Sequence, residues 1–338
     1  MLFSARFTLP DMNLCDPISP GQDWARTRWN SHGTGAAFDR KKNPYLTPEA
    51  KAFVERQEFC IVSFADDDDQ VCGRLLHGRL TDFTEVLDDG HLIIRSLNGL
   101  SADLLSSKAP ERGQRLAVIF IDFKTRQRLC VHGISKWEDA GRCLRLELTQ
   151  SFFHCPKYID PSCRLIHTVS ATARAFKTDK LAGTGDREDV IDHLAGFCAY
   201  QRVAFLCTVD RNGKFAINHR GGTRGFLSLS RIDAEPWILL PDYAGNGAFE
   251  AVGNIWETQR AAVFVPDFEL GYGICVSGSA RVLDGDALRA KPILAPPGAK
   301  RIVAIYASYC RFQSWEYDLA TQGFEQQLEI DLAAGTKN

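Results

Sequence analysis

The feature that most constrains this chain is a weak internal repeat with a spacing of about 145 residues. Residues 118–123 align with residues 263–268 at an offset of 145, and the alignment continues without a gap through the next apolar run. Upstream, residues 57–78 align with residues 201–222 at an offset of 144. Small changes in loop length between duplicated domains account for such a drift. The repeat therefore predicts two related domains within the 338 residues.

Both halves show the same predicted order of secondary structure, a helix followed by short strands. In the first half Thr47 suits the N-cap, Pro48 the first helical position and Glu49 the first turn, while the second-half helix begins near Asp186. The predicted strands are 59–64, 92–95, 118–123 and 128–133 in the first half, and 204–209, 237–240, 263–268 and 273–278 in the second. A short helix is expected between the second and third strands of each half, with Asn246 as a suitable cap for the second of these helices. This pattern predicts a mainly β fold with short helices (α+β), built as barrels rather than as a doubly wound sheet.

The repeat and the composition together predict the domain boundaries. Residues 1–45, rich in Pro, Asp and Asn, are expected to form an N-terminal extension without a core of its own. The first barrel is predicted over residues 46–176 and the second over residues 188–330. A linker with two glycines joins them at residues 177–187.

Charge and cysteine usage exclude several function classes. The 40 basic and 42 acidic residues leave a net charge of -2 without a dense basic run, which argues against nucleic-acid binding. No apolar stretch approaches the about 18 residues that span a membrane, and the first residues lack a signal-peptide pattern. The eleven cysteines include no Cys-x-x-Cys pair, so no metal site is predicted. We therefore expect a cytoplasmic protein with reduced thiols and no membrane partner.

Two segments of the second half combine glycines with groups that bind phosphate. Residues 218–226 place Arg220 beside paired glycines, which allow close backbone approach while the guanidinium forks onto phosphate oxygens. Residues 241–247 lead into the short helix, whose first N–H groups have no partner within the helix. Each segment alone is more typical of a tight turn. Together they predict one phosphate clamp between a strand edge and a helix start.

With these segments in place, the chain resembles the pyridoxamine 5′-phosphate oxidase-like family of FMN-binding split barrels, in particular its two-half flavin-nucleotide-binding members. The matching segments of the second half are 219–222, 225–226, 241–246, 253–254 and 267–268, with Gly278. Those of the first half are 120–123, 126–133, 150–152 and 155–159. The resemblance implies a six-stranded split barrel in each half and FMN in a cleft between two barrels. Most relatives form that cleft as a homodimer, whereas a tandem chain could form it internally; the sequence leaves a homodimer open.

The resemblance also implies a set of cofactor-binding residues. These are His219, Arg220, Gly221, Gly222, Asp242, Tyr243, Gly245, Asn246 and Asn254. One departure is Glu250, which opens a segment where relatives often carry Asn-Thr-Leu-Gly-Asn, because an acid near a phosphate weakens its binding. A second is the first-half segment 74–78, which lacks the paired glycines of residues 218–222. These differences predict one competent site for each chain and a degenerate site in the first barrel.

The expected function is that of an FMN-dependent oxidoreductase, which passes hydride or electrons through the flavin to or from a small-molecule substrate. No catalytic residue is identified from the sequence. The alternative is a non-catalytic flavin- or haem-binding protein that carries or senses its ligand. Residues 154–156, His-Cys-Pro, are a weak haem-contact motif for which a structural role is the better interpretation.

Overall fold

The computed structural model describes residues 17–78, 82–96, 113–138, 143–165, 187–289, 293, 295–314, 317–318, 323–324 and 329–333. Its helices are α1 (Pro20–Arg28), α2 (His32–Asp39), α3 (Pro48–Val54), α4 (Arg187–Tyr200), α5 (Glu250–Thr258) and α6 (Gly285–Arg289). The first-half strands are β1 (Phe59–Ala65), β2 (Val71–His77), β3 (Thr84–Val86), β4 (His91–Arg95), β5 (Gln114–Asp122), β6 (Gln127–Glu138) and β7 (Cys143–Phe153). The second-half strands are β8 (Val203–Val209), β9 (Phe215–Gly221), β10 (Ser228–Ile232), β11 (Glu235–Asp242), β12 (Arg260–Asp267), β13 (Tyr272–Leu283), β14 (Arg301–Tyr306) and β15 (Tyr309–Ser314). Three short strands follow, β16 (Tyr317–Asp318), β17 (Gly323–Phe324) and β18 (Glu329–Asp331).

The two halves have the same strand order. The first sheet runs β2-β1-β5-β6-β7-β4-β3, and the second, taken in the same direction, runs β9-β8-β12-β13-β14-β11-β10. All of these neighbours pair antiparallel. The resemblance implied six strands in each half, whereas each path holds seven, and β15 adds to the second sheet beside β13.

The strand registers of the two halves also correspond. The β5–β6 and β12–β13 hairpins pair at an offset of 145, and β1–β2 and β8–β9 pair at an offset of 144. Examples are Leu116 opposite Gly133 and Ala261 opposite Gly278, then Phe59 opposite His77 and Val203 opposite Gly221. Both offsets are those read from the sequence.

The strands at the centre of each half are buried on both faces because they face two different cores. In β1, Cys60 and Val62 belong to the core of the first half, while Ile61 between them belongs to a core shared by both halves. In β8, Leu206 belongs to the core of the second half and Phe205 to the shared core. The period-two alternation of a strand thus fills a barrel interior on one side and the junction between barrels on the other. The predicted mainly β fold of tandem split barrels is confirmed.

Most predicted elements are present, and their ends differ by a few residues. Thr47 caps α3 by accepting from the Ala50 N–H, with Pro48 at the first position. The sequence did not predict strands β2, β3, β7, β9, β10 and β14–β18, although alternating leucines in β7 are a period-two signal. The predicted short helix of the first half and most of the predicted linker lie outside the described residues. Within the part of the chain that is described, no helix is long and apolar enough to cross a membrane.

The N-terminal segment packs on the second half. This segment is described over residues 17–45. Its helix α1 packs against α5, and the Gln22 side chain donates to the Ala248 carbonyl over 3.1 Å. Trp24 stacks on Trp256 with ring centroids 5.0 Å apart. The predicted extension is therefore built into the second barrel, beside the turn that precedes α5.

Candidate functional site

A cavity of about 210 Å³ lies where the two halves meet. The second half contributes the end of β9, residues 241–252 and Arg301 at the start of β14. The first half contributes Arg128 near the start of β6 and four residues between 154 and 158. Both barrels are therefore needed to form the walls.

The turn before α5 forms one wall and has a constrained backbone. Gly247 has φ +74°, and a Cβ there would lie 2.4 Å from the Thr34 Oγ1 atom of the N-terminal segment. Phe249 is the N-cap of α5 with φ 56°, and no side chain caps the helix. The prediction that Asn246 caps this helix is wrong, because its side chain accepts from the Ala248 N–H inside the turn instead. The first N–H groups of α5 therefore have no capping side chain, and the residues that carry them line the cavity.

An arginine pair shares one carboxylate at the cavity wall. Arg220 donates to Asp242 over 2.6 Å, and the Arg301 Nε atom donates to the other carboxylate oxygen over 2.7 Å. The Arg301 guanidinium packs against the rings of Trp29 and Phe249, at 4.3 and 4.9 Å from their centroids. Two guanidinium groups on one carboxylate leave an excess positive charge.

Arg128 carries a second excess charge. It donates to the His219 Nδ1 atom over 2.7 Å and to the Cys155 carbonyl over 2.8 Å, and among the described residues no carboxylate pairs with it. Burial, together with the positive charge of Arg220, lowers the pKa of Arg128 to about 10. A guanidinium stays protonated at neutral pH even so, and is therefore a cation that lacks a counter-ion.

Two neutral histidines stand beside Arg128. Burial, followed by the charge of Arg128, lowers the pKa of His154 to about 3 and that of His219 well below its usual value. Arginine only donates, so the Nδ1 atom of His219 accepts and its Nε2 atom carries the proton. The buried Nε2 atoms of both rings have no hydrogen-bond partner among the described residues, nor do the Nε atoms of Arg128 and Arg220. Orphaned buried polar atoms of this kind point to an absent polar ligand or to water.

Glu250 does not confront an anion as an isolated acid. Its carboxylate accepts from the Lys42 Nζ atom over 2.9 Å, and both side chains are buried. Lys42 also lies 3.4 Å from Asp39. Burial raises the pKa of Glu250, but the charges of Lys42, His132 and Lys214 together outweigh burial and hold it far below its usual range. The expectation that this acid weakens phosphate binding overlooked its counter-ion, which is 208 positions away in the sequence.

The charges around the cavity favour an anionic ligand. Four basic side chains line it, Arg128, Lys157, Arg220 and Arg301, against the two carboxylates of Asp242 and Glu250. Glu250 is already neutralised by Lys42 from behind the wall. At the rim, half-exposed Tyr158 stacks on Tyr243 with centroids 5.2 Å apart, one ring from each half.

The structure brings together most of the residues implied by the resemblance. Those that line the cavity are His219, Arg220, Gly221, Asp242, Tyr243, Gly245 and Asn246. Gly222 and Asn254 do not: Gly222 packs on Phe226, and the Asn254 amide donates to the buried Thr208 hydroxyl.

Gly221 has a structural reason to be glycine. A Cβ atom there would lie 2.0 Å from the Tyr158 carbonyl oxygen, so the backbones of the two halves meet at this point.

The sequence analysis missed the first-half contribution. Arg128 and Tyr158 lie in segments that carry the resemblance, yet nothing local distinguishes them from surface residues. Lys42 and Arg301 lie outside those segments altogether. Only the packing of distant segments reveals these four residues.

Comparisons with known proteins complete the description. No family model matches the chain, and no curated protein is significantly similar to it. Among solved structures, it is similar to a general stress protein 26-related protein of the pyridoxinephosphate oxidase family from Clostridium acetobutylicum, with 8% identity, a TM-score of 0.28 and coverage of 45% of this chain and 99% of that one. It is also similar to HupZ of Group A Streptococcus (16% identity, TM-score 0.27, coverage 40% and 98%). A heme binding protein from Mycobacterium smegmatis matches with 16% identity, a TM-score of 0.27, and coverage of 43% of this chain and 59% of that one.

Proposed function

We propose that the cavity between the halves binds FMN and that the protein is an FMN-dependent oxidoreductase acting on a small molecule. The observation that carries this proposal is Arg128, a buried guanidinium without a carboxylate partner among the described residues, in a cavity with excess positive charge. Burying an unpaired charge is costly unless a ligand of opposite charge completes the site. A phosphate monoester supplies that charge.

The residues present fit such a cofactor. Arg220, Arg301 and the uncapped start of α5 would hold the phosphate, since they combine fork-shaped donors with free N–H groups. The His219 Nε2–H would donate to an acceptor atom of the ligand, because its other nitrogen is fixed by Arg128. The Tyr158–Tyr243 pair offers an aromatic surface at the rim for a planar ring.

Bound FMN would supply hydride or one-electron transfer, while the protein supplies binding and orientation. Electron or hydride transfer through the flavin requires no general acid or base from the protein chain. This is consistent with a site in which both histidines are held neutral and both carboxylates are ion-paired.

A second candidate is haem binding without catalysis, and His154 is the observation that favours it. Its Nε2 atom is buried and has no partner among the described residues, and its low pKa keeps the ring neutral, as an axial ligand must be. His219 is the poorer ligand because its Nε2 atom is protonated.

The test is cofactor titration of the full chain, starting with the absorption spectrum of the purified protein. Free FMN is added to cofactor-stripped protein and the quenching of flavin fluorescence gives Kd. A charge-assisted contact is worth about 1.5–3 kcal/mol, so Arg128→Ala and Arg220→Ala should each weaken binding roughly ten- to a hundredfold. Arg126→Ala is the matched control, because Arg126 is exposed and lies outside the cavity lining. Equal affinity in wild type and Arg128→Ala would rule out this site.

Two further measurements separate the candidates. Haemin binding that shifts the Soret band in wild type but not in His154→Ala, together with an absence of FMN binding, would favour the haem-binding function. Turnover of NAD(P)H with an electron acceptor distinguishes an oxidoreductase from a carrier of flavin.

We also infer that the barrels arose by internal duplication and that each chain holds one site, with the first-barrel equivalent degenerate. The shared strand order and register support this. The boundaries proposed are those of the sequence, 46–176 and 188–330, and a homodimer is compatible with a cavity that one chain already closes. We place the protein in a reducing cytoplasm, in keeping with ten described cysteines that are all free thiols.

A further inference from the structure

The first-barrel equivalent of the cavity is a small recess that is lined by two neighbouring cysteines. Cys72 in β2 and Cys275 in β13 line a recess of about 20 Å³ at the opposite edge of the shared core. One thiol belongs to each half, and both are almost fully buried. Room of that size holds about one water-sized molecule.

Donors surround the two sulfur atoms. The Gly73 N–H donates to the Cys275 Sγ atom over 3.3 Å, and the thiol of Cys72 donates to the Asp66 carboxylate over 3.6 Å. The Arg311 Nη1 atom lies 2.7 Å from the Cys72 Sγ atom, and Arg311 also pairs with the buried carboxylate of Asp66. This arrangement places a guanidinium and a backbone N–H beside the two sulfur atoms.

We propose that Cys72 and Cys275 form a peroxide-sensitive thiol pair, which a small hydroperoxide converts to a disulfide between the two halves. The two residues act together because both line the same recess across the junction, and the N–H of Gly73, the residue after Cys72, reaches the Cys275 sulfur. Hydrogen peroxide is little larger than water, so the recess admits it while excluding bulky thiol reagents.

The chemistry balances in two steps. Cys275, as its thiolate, attacks one peroxide oxygen; the S–O bond forms, the O–O bond breaks, the sulfur is oxidised to sulfenic acid, and hydroxide leaves with the electron pair. The Cys72 sulfur then attacks the Cys275 sulfur; the S–S bond forms and the S–O bond breaks. The departing hydroxide takes the thiol proton of Cys72 as water. In sum, two thiols and one hydroperoxide give a disulfide, water and the alcohol or second water.

The electrostatics assign the two roles. The neighbouring Cys72, the Gly73 N–H and Arg311 lower the pKa of Cys275 against the effects of burial and of Asp66. The neighbouring Cys275 and burial raise the pKa of Cys72, although Arg311 lowers it. Cys275 is therefore the sulfur that attacks peroxide and Cys72 the one that resolves it, because the thiolate is the nucleophile.

The test is to treat the full chain with about one equivalent of hydrogen peroxide, block remaining thiols with iodoacetamide in denaturant, and digest without reduction. Mass spectrometry should find a peptide that links Cys72 to Cys275, and dithiothreitol should remove it. In Cys72→Ala, dimedone added together with the denaturant after the peroxide treatment should label Cys275, whereas in Cys275→Ala neither the link nor labelling of Cys72 is expected. Cys155→Ser removes the exposed thiol and should leave the link intact.

Oxidation of Cys155, or a link that uses the neighbouring Cys207, before any link between Cys72 and Cys275 would overturn the proposal. The wild-type digest alone decides this, so the outcome does not depend on the folding of any variant. The result is also independent of FMN binding.

Discussion

The two halves meet along one shared core, and the two ends of that junction differ in how much open space they contain. At one end lies the 210 Å³ cavity, and at the other a recess of about 20 Å³. The strand registers show which residues correspond. His219, Arg220, Arg128 and His154 at the open end correspond to Leu75, Leu76, Gly273 and Gln313 at the closed end.

The closed end keeps the same strand pairing but leaves no room for a cofactor. Leu75 and Leu76 are fully buried, and a Cβ at Gly273 would lie 2.7 Å from the Phe264 ring. The Gln313 side chain accepts from the Leu75 N–H over 3.0 Å and donates to the Leu75 carbonyl over 2.6 Å. One amide thus satisfies the strand edge, whereas the Nε2 atom of His154 has no partner among the described residues. Apolar side chains and internal hydrogen bonds fill one end, while at the other Arg128, which has no carboxylate partner among the residues described, favours a bound anion.

The largest expected effect comes from the ion pair behind the open end. Lys42→Met leaves the buried Glu250 carboxylate without its main partner, which should lower the free energy of unfolding by about 3–5 kcal/mol. Because the folded-state pKa of Glu250 is lowered, this stabilisation is present above the unfolded value of about 4.3 and is lost as the pH falls below it. Urea unfolding followed by tryptophan fluorescence measures the change.

Lys51→Met is the matched control for that experiment. Lys51 pairs with Asp89 at the surface, where an ion pair contributes about 1 kcal/mol or less. If Lys42→Met and Lys51→Met are equally stable, the N-terminal segment does not support the open end.

The comparison also shows what the sequence could predict. The repeat predicted two similar halves. The strands of the two halves pair in corresponding registers, at the offsets of 144 and 145 residues that the sequence showed. This succeeded because alternating burial in strands leaves a local, period-two trace. The glycine-rich segments likewise indicated most of one cavity wall.

The other wall could not be predicted because it depends on contacts between distant segments. Arg128 reaches His219 across 91 positions, and Lys42 reaches Glu250 across 208. A single sequence does not show that Glu250 has a counter-ion, so its negative charge looked unfavourable for phosphate binding. The same limit applied to residues 17–45, whose partners lie in both halves, as the contacts of Gln22 with Ala248 and of Asn43 with Ser151 show.

A smaller effect is expected at the point where the backbones meet. Gly221→Ala would place a methyl group 2.0 Å from the Tyr158 carbonyl, so the first-half wall must move. Overpacking of this kind costs about 1–3 kcal/mol and should also weaken FMN binding, measured by fluorescence quenching. At the closed end the equivalent residue is His77, which has a side chain, so the requirement for glycine belongs to the open end alone.

Gly245→Ala is the control in the same cavity, because nothing lies within 4 Å of a Cβ there. Gly245→Ala should keep wild-type stability. Wild-type stability in Gly221→Ala as well would mean that the two halves are less closely packed than described.

The smallest expected effect is a pH dependence confined to the open end. The pKa of His154 is about 3 in the folded protein and about 6.5 in the unfolded chain. The folded state is therefore favoured at pH values above about 6.5, and this stability is lost as the pH falls below that unfolded pKa. As the pH falls from 7 to 5 the unfolded chain takes up a proton that the folded chain refuses, and up to about 2 kcal/mol is lost. His154→Gln installs the residue of the closed end, which does not titrate, and should remove that part of the loss. Urea unfolding at pH 5, 7 and 8 measures the free energy of unfolding of wild type and His154→Gln. Between pH 7 and 8 the histidine is largely neutral in both states, so the two proteins should show the same change. An identical loss between pH 7 and 5 in wild type and variant would show that His154 takes up a proton as readily in the folded protein as in the unfolded chain, and thus that neither burial nor Arg128 lowers its pKa.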